Sequence, residues 1–326
     1  MTIRDLLRLG LAAVGAGLLP AAALAVEGGS GAYLLGSRDT FAGIAPPPGT
    51  YFSVDVFHLD GQVPYLAIGG IVVTQATTKA TVAKFNFTHS FAEPLWGGQP
   101  YVTLTVPLVS GQLGFSSALG RLPDQSFEND KTNFGDLVLT PSLGYQAGNA
   151  HWVYAASIFA PTGYYEKASV SIPDRSIDAL SFGKNRWAIA PTVAYTWFNP
   201  KTGFEVSASG SVTISARNTA TDYQTAPEAV MEAAVMQHLK SGFAFGLTGY
   251  GYKQLGEDSG SGAEALKAAT NAASLEAQVF GVGPIITYST KIGGRSVSMK
   301  LKYLSEFDAK RRFESDVIAA SFSINF

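Results

Sequence analysis

The chain is 326 residues long, carries 23 Lys and Arg against 25 Asp and Glu, and has a formal net charge of −2 and no cysteine. That balance excludes the basic footprint of a nucleic-acid binder, and the missing cysteines exclude a disulfide-stapled scaffold. Only 15% of the residues are charged and 12% are aromatic, where a soluble domain has about 25% charged residues, so the composition points to an outer face turned toward lipid.

In chain order, Arg4 and Arg8 precede an uncharged run from Leu9 to Leu19, Pro20 breaks it, and Ala23-Leu24-Ala25 supplies the small-x-small step of a signal-peptidase site. Residues 1–25 read as a secretory signal peptide, cleaved after Ala25, with Val26 opening the mature chain. The apolar run is shorter than the roughly 20 residues of a membrane-spanning helix, and a membrane anchor is the weaker reading. Residues 26–48 are rich in Gly and Pro and keep no period. This lead-in carries Tyr33, Leu34, Leu35, Phe41 and Ile44, apolar side chains that a free tail would leave in water. The expectation is a possible lumen plug in which Tyr33, Leu35 and Phe41 pack; a flexible tail is the alternative.

From Gly49 the sequence alternates with the period of a strand that has one apolar face. In the clearest stretch, Phe204, Val206, Ala208, Gly210, Val212, Ile214 and Ala216 alternate with Glu205, Ser207, Ser209, Ser211, Thr213, Ser215 and Arg217. Such a length exceeds the usual 5–6 residues of a soluble strand and suits a tilted membrane strand of about 9–11 residues with an extension. The pattern predicts twelve strands, near 50–58, 80–91, 99–109, 134–147, 150–161, 185–198, 203–217, 225–238, 242–255, 274–290, 295–307 and 312–326. Residues 49–326 thus form an all-β, transmembrane antiparallel β-barrel. Links after even strands are short, as at Gly148-Asn149 and Lys291-Ile292-Gly293-Gly294, and links after odd strands are mostly longer, as at 110–133, 162–184 and 256–273. Short turns at one end and long loops at the other are the mark of an outer-membrane barrel. Pro227 to Leu239 has helical composition but is needed as a strand to keep the count even, and Ala263 to Ala273 reads as a short helix inside a loop. The last strand ends with Phe322, Ile324 and Phe326 on its apolar face, which resembles the carboxy-terminal signal that the barrel-assembly machinery recognises.

The segments Glu27-Gly28-Gly29-Ser30-Gly31-Ala32-Tyr33 and Pro46-Pro47-Pro48-Gly49-Thr50-Tyr51-Phe52, with Phe134-Gly135-Asp136-Leu137 and Ala160-Pro161-Thr162-Gly163, resemble a bacterial family of outer-membrane proteins. The family is labelled MetA-pathway of phenol degradation, also called SphA-like. The resemblance implies passage of aromatic or other hydrophobic molecules across the outer membrane, and it implies no catalytic residues.

Alternation turns Asp55, Lys84, Asp136, Arg186, Glu205, Glu232, Lys300 and Lys302 into the lumen, because a charge facing hydrocarbon is costly. They line a possible substrate path or merely pair across the lumen. Outward Trp152, Tyr154, Trp187, Tyr195 and Trp197 read as interface girdle. His58, His89, His151 and His238 lack metal-ligand spacing, and no G-x-S-x-G elbow occurs. Asp124, Glu128, Asp130 and Asp136 lack the spacing of a calcium loop. No cofactor or metal is expected. The expected partners are outer-membrane lipid, the assembly machinery and a small hydrophobic substrate. The expected function is a non-enzymatic channel. The rivals are a barrel lipid hydrolase, for which His89-Ser90 is the one suggestive pair, and a structural barrel with no through-path.

Overall fold

The computed structural model describes residues 26–27, 29–68, 71–115, 117–118, 127–167, 169–171, 176–178 and 180–326. The signal peptide and its cleavage after Ala25 lie outside them, as does Asp124. Twelve antiparallel strands form the wall: β1 (Gly49–Ile68), β2 (Ile71–Ser90), β3 (Gln99–Phe115), β4 (Phe127–Phe134 continuing as Leu137–Ala147), β5 (Ala150–Ala160), β6 (Ala188–Asn199), β7 (Phe204–Ser215), β8 (Glu228–His238), β9 (Phe243–Gln254), β10 (Gln278–Ile292), β11 (Arg295–Lys310) and β12 (Glu314–Asn325). Each pairs with its sequence neighbours, and β12 pairs with β1 from Tyr51↔Asn325 to Gln62↔Glu314, which closes the barrel. Closure leaves no strand edge exposed to lipid, where an unpaired amide or carbonyl has no water to turn to. No described helix is long and apolar enough to cross a membrane.

The alternation is explicit in the wall. On β6, Ala188, Ala190, Thr192, Ala194 and Thr196 are buried while Ile189, Val193 and Tyr195 are exposed to the outside. On β8, Glu228, Val230, Glu232, Ala234 and Met236 face in, and Met231 and Val235 face out. That segment is built from Ala, Glu and Met, good helix formers, yet it is a strand: its neighbours on both sides and the lipid outside outweigh intrinsic propensity. The outer aromatics include Trp187 and Tyr154, more than half exposed, and Tyr145 stacks on Trp152 across the short turn between β4 and β5.

Several boundaries differ from the expected ones. β1 and β2 run on to Ile68 and from Ile71, so residues 59–68 and 71–79 pair with each other rather than forming a link. β3 reaches Phe115 and β4 begins at Phe127, shortening the expected 110–133 loop. Twenty residues of strand span about 66 Å, well beyond the hydrocarbon core, and out there no lipid demands an apolar face, so pairing continues after the alternation fades. The predicted helix is α1 (Ser261–Thr270), in the connection between β9 and β10. β4 is broken at Gly135 and Asp136, where the Asp136 carboxylate accepts the Gly163 and Lys184 amides (2.9 and 2.7 Å) and ties down the loop before β6.

Candidate functional site

The inner wall combines buried charged residues with buried apolar ones, and the lead-in runs along it. At the loop end, Val26 is buried and Glu27 accepts hydrogen bonds from Arg186 (2.9 Å), Asn218 (2.9 Å) and Thr221 (2.5 Å). Halfway down, the Tyr33 hydroxyl donates to Glu232 of β8 (2.5 Å), and Leu35 packs in a cluster with Phe57, Tyr250 and Leu304. Ser37 accepts from Lys84 of β2 (2.9 Å). Asp39 lies between Lys300 and Lys302 of β11, at 2.8 and 2.6 Å, and the Lys302 ammonium also donates to the Gly36 carbonyl. Near the turn end, Thr40 and the Phe41 amide donate to Glu205 of β7 (2.7 and 2.6 Å), while the Phe41 ring stacks on His238 at 4.6 Å. The Gly43 amide donates to Thr196 of β6, and the Pro46 carbonyl accepts from Ser90 of β2. Gly43 must be glycine for contact reasons: a Cβ there would sit 2.5 Å from the Thr196 backbone nitrogen. Contacts to β2, β6, β7, β8 and β11 from one segment require that it pass down the inside.

The eight residues expected to line the lumen thus fall into distinct groups. Glu205, Glu232, Lys84, Arg186, Lys300 and Lys302 all bond to the lead-in, directly rather than across open space. Asp55 stands 3.9 Å from Lys84 and accepts from Asn86 at 2.8 Å. Asp136 serves the loop contact at the break in β4. Beside it, burial first and the Arg186 guanidinium second depress the Lys184 amine to about 8, and that amine donates to Ser30 of the lead-in at 2.9 Å. Phe322 and Phe326 are exposed on the outer face; the Phe326 amide donates to the Thr50 carbonyl (2.9 Å), and the Arg295 guanidinium lies 5.1 Å from its ring.

Several residues of weight escaped the sequence reading. Asp39 sits in an aperiodic segment and carries no signal at all. His238 lacks metal-ligand spacing in the sequence, and its Nε2 pairs with Glu205 at 2.5 Å. Glu228 and Glu306 share the inward parity of Glu232 and of Lys300 and Lys302, so alternation alone finds them; they accept from Tyr252 (2.9 Å) and Tyr250 (2.6 Å). Buried polar atoms left without a protein partner include Arg186 Nε and Nη2, Glu228 Oε2 and Glu232 Oε1, which marks the interior as a place for water or a polar solute.

Asp39 is the pivot of this arrangement, since two ammoniums converge on it and Lys302 is almost wholly buried. Asp39→Asn should weaken the seating of the lead-in by about 3–5 kcal/mol, the cost of leaving a buried charge unpaired, or less where lumen water screens it. The expected result is a lead-in that proteases cut and a raised conductance. A segment that stays protected at unchanged conductance would show that other contacts hold it.

The sequence matches a protein-family model described as "Putative MetA-pathway of phenol degradation" over residues 62–322. No curated protein matches the chain. Among solved structures it is similar to the COG4313 outer membrane channel from Pseudomonas putida F1, at 17% identity and TM-score 0.64, with 89% of this chain and 100% of that chain covered. It is also similar to the transport unit of the autotransporter AIDA-I from Escherichia coli, at 8% identity and TM-score 0.45, covering 90% of this chain and 92% of that one. The TodX deltaS2S3 mutant monoaromatic hydrocarbon channel aligns at 9% identity and TM-score 0.44, over 94% of this chain and 96% of that one. The first of these likenesses is one of fold, that of an outer-membrane barrel.

Proposed function

The chain belongs to the family described as MetA-pathway of phenol degradation, and on that premise we propose that it is a passive outer-membrane channel for small hydrophobic or aromatic compounds. The observation that carries this reading is the apolar inner wall. Porin interiors are polar, yet here Phe57, Val230, Tyr250, Val279, Leu304 and Val317 are buried on the inner side around the lead-in. An apolar solute loses little on entering such a lumen, whereas a hydrated ion must shed water against it. The charged groups do not offset this, because most of them are engaged by the lead-in and do not stand as an open polar lining.

The same reading places the protein in the outer membrane of a Gram-negative bacterium, exported with its signal peptide removed after Ala25, inserted by the barrel-assembly machinery and bathed in outer-membrane lipid. It is a conduit rather than an enzyme. The lipid-hydrolase rival draws no support from His89-Ser90: the His89 ring meets Thr50 at 3.0 Å, whereas the Ser90 hydroxyl donates to Pro46 on the opposite face.

Cells that depend on this protein for outer-membrane passage should take up a radiolabelled monoaromatic hydrocarbon several-fold faster than cells lacking it. Liposomes carrying it should swell slowly in a pentose of similar size. Rapid sugar swelling without faster aromatic uptake would make it a general porin, and neither effect would make it a structural barrel.

A further inference from the structure

We infer that signal-peptide removal creates a buried ammonium at Val26 that pairs with Asp258 and fixes the new amino terminus inside the loop end of the barrel. Val26 is 2% exposed, and its nitrogen lies 2.8 Å from Asp258 Oδ2. Asp258 follows β9 and is itself only 8% exposed. Its other partners are the Tyr223 hydroxyl (2.6 Å), the Gln254 amide (2.7 Å) and the Ala226 backbone N–H (2.9 Å), all neutral donors. Among the described residues no Lys, Arg or His side chain forms an ion pair with it. A buried carboxylate without a counter-charge is costly, and the one group within reach that processing can turn into a cation is the nitrogen already in contact.

The chemistry of cleavage supplies that charge. Hydrolysis of the Ala25–Val26 bond places the hydroxyl of water on the Ala25 carbonyl carbon and its proton on the Val26 nitrogen. At neutral pH the released carboxyl then gives up a proton and the amine gains one, so a single-donor amide becomes a three-donor ammonium. A backbone observation points the same way. Val26 is a β-branched residue at φ 61°, a conformation such residues rarely adopt. That torsion is defined by the bond to Ala25, so cleavage abolishes it and the strain with it.

The consequence is a two-point hold. The lead-in is joined covalently to β1 at the turn end and by an ion pair at the loop end, and the second point exists only after export is complete. Glu27 alone, bonded to Arg186, Asn218 and Thr221, is the competing anchor, and the test separates the two.

The full-length protein is purified from outer membranes, its intact mass is measured, and its amines are acylated at pH 7 and followed by peptide mass spectrometry. The exposed Lys201 side chain in the turn between β6 and β7 is the internal control. The expected mass is that of a chain starting at Val26, whose α-amine is acylated at least about tenfold more slowly in the folded barrel than in the unfolded chain. Asp258→Asn should remove most of that protection. So should insertion of Gly-Ser between Ala25 and Val26, which keeps Asp258 but moves the ammonium away, and which decides the matter if the substitution does not assemble. A mature chain beginning elsewhere, an α-amine that reacts as fast folded as unfolded, or an insertion variant as protected as the parent would overturn the inference.

Discussion

Deleting residues 28–46 while keeping the signal peptide should raise single-channel ion conductance several-fold and make cells more sensitive to bulky hydrophobic antibiotics. An eight-stranded barrel is filled by its own side chains and one of 16–18 strands encloses a wide aqueous channel; twelve strands leave a lumen that one extended segment can occupy. Here that segment contacts five strands and buries Leu35 and Asp39. Its removal does two things at once. It empties the volume, and it exposes Glu205, Glu232, Lys84, Lys300 and Lys302, now without their lead-in partners, to whatever water enters. A newly wet and charged passage carries ions. The closing register of β1 on β12 begins at Tyr51, beyond the deleted stretch, so the barrel itself should still assemble. A correctly inserted variant whose conductance and antibiotic sensitivity match the parent would mean that the segment does not obstruct the path, and the proposed selectivity for apolar solutes would lose its basis.

What could be read from the sequence and what could not divide along a physical line. Wherever the wall is in contact with lipid, the requirement for an apolar outer face writes itself into every second residue, so twelve strands and their inward sets were legible, β8 included despite its helix-forming residues. Where the wall leaves the bilayer that requirement ends. Residues 59–68 pair with 71–80, but their pattern, with Asp60-Gly61 and Thr77-Thr78, carries no sign of a face. Hydrocarbon excludes charge, so alternation marks a set of residues for the inner face, but it says nothing of their partners. Lys300 and Lys302 meet Asp39, some 260 positions earlier in the chain, and no local rule links an aperiodic Gly- and Pro-rich segment to a particular strand. The same holds for Asp258, which lies in a loop and faces a residue that looks, in sequence, like nothing more than the one after a cleavage site.

Removing Phe326, or replacing it with Asp, should lower the amount of protein in the outer membrane several-fold while leaving the stability of the molecules that do insert nearly unchanged. In the folded barrel Phe326 contributes little. It is 62% exposed, its amide makes one bond to Thr50, and its ring receives the Arg295 guanidinium at 5.1 Å, an interaction of about 0.5–1 kcal/mol at an exposed site. The pairing that closes the barrel runs through Asn325 and does not need it. Ile324 and Phe322 would remain in register against β1 and β11. A large fall in level without a matching fall in stability therefore separates two roles that a terminal residue can have, a recognition element during insertion and a contact in the finished wall. The measurement is the amount of heat-modifiable barrel in outer-membrane fractions, set beside the urea midpoint of the purified protein in detergent. Equal levels of parent and variant would show that assembly does not read the terminal ring. A midpoint shifted as strongly as the level would instead make Phe326 a structural contact, contrary to its exposure.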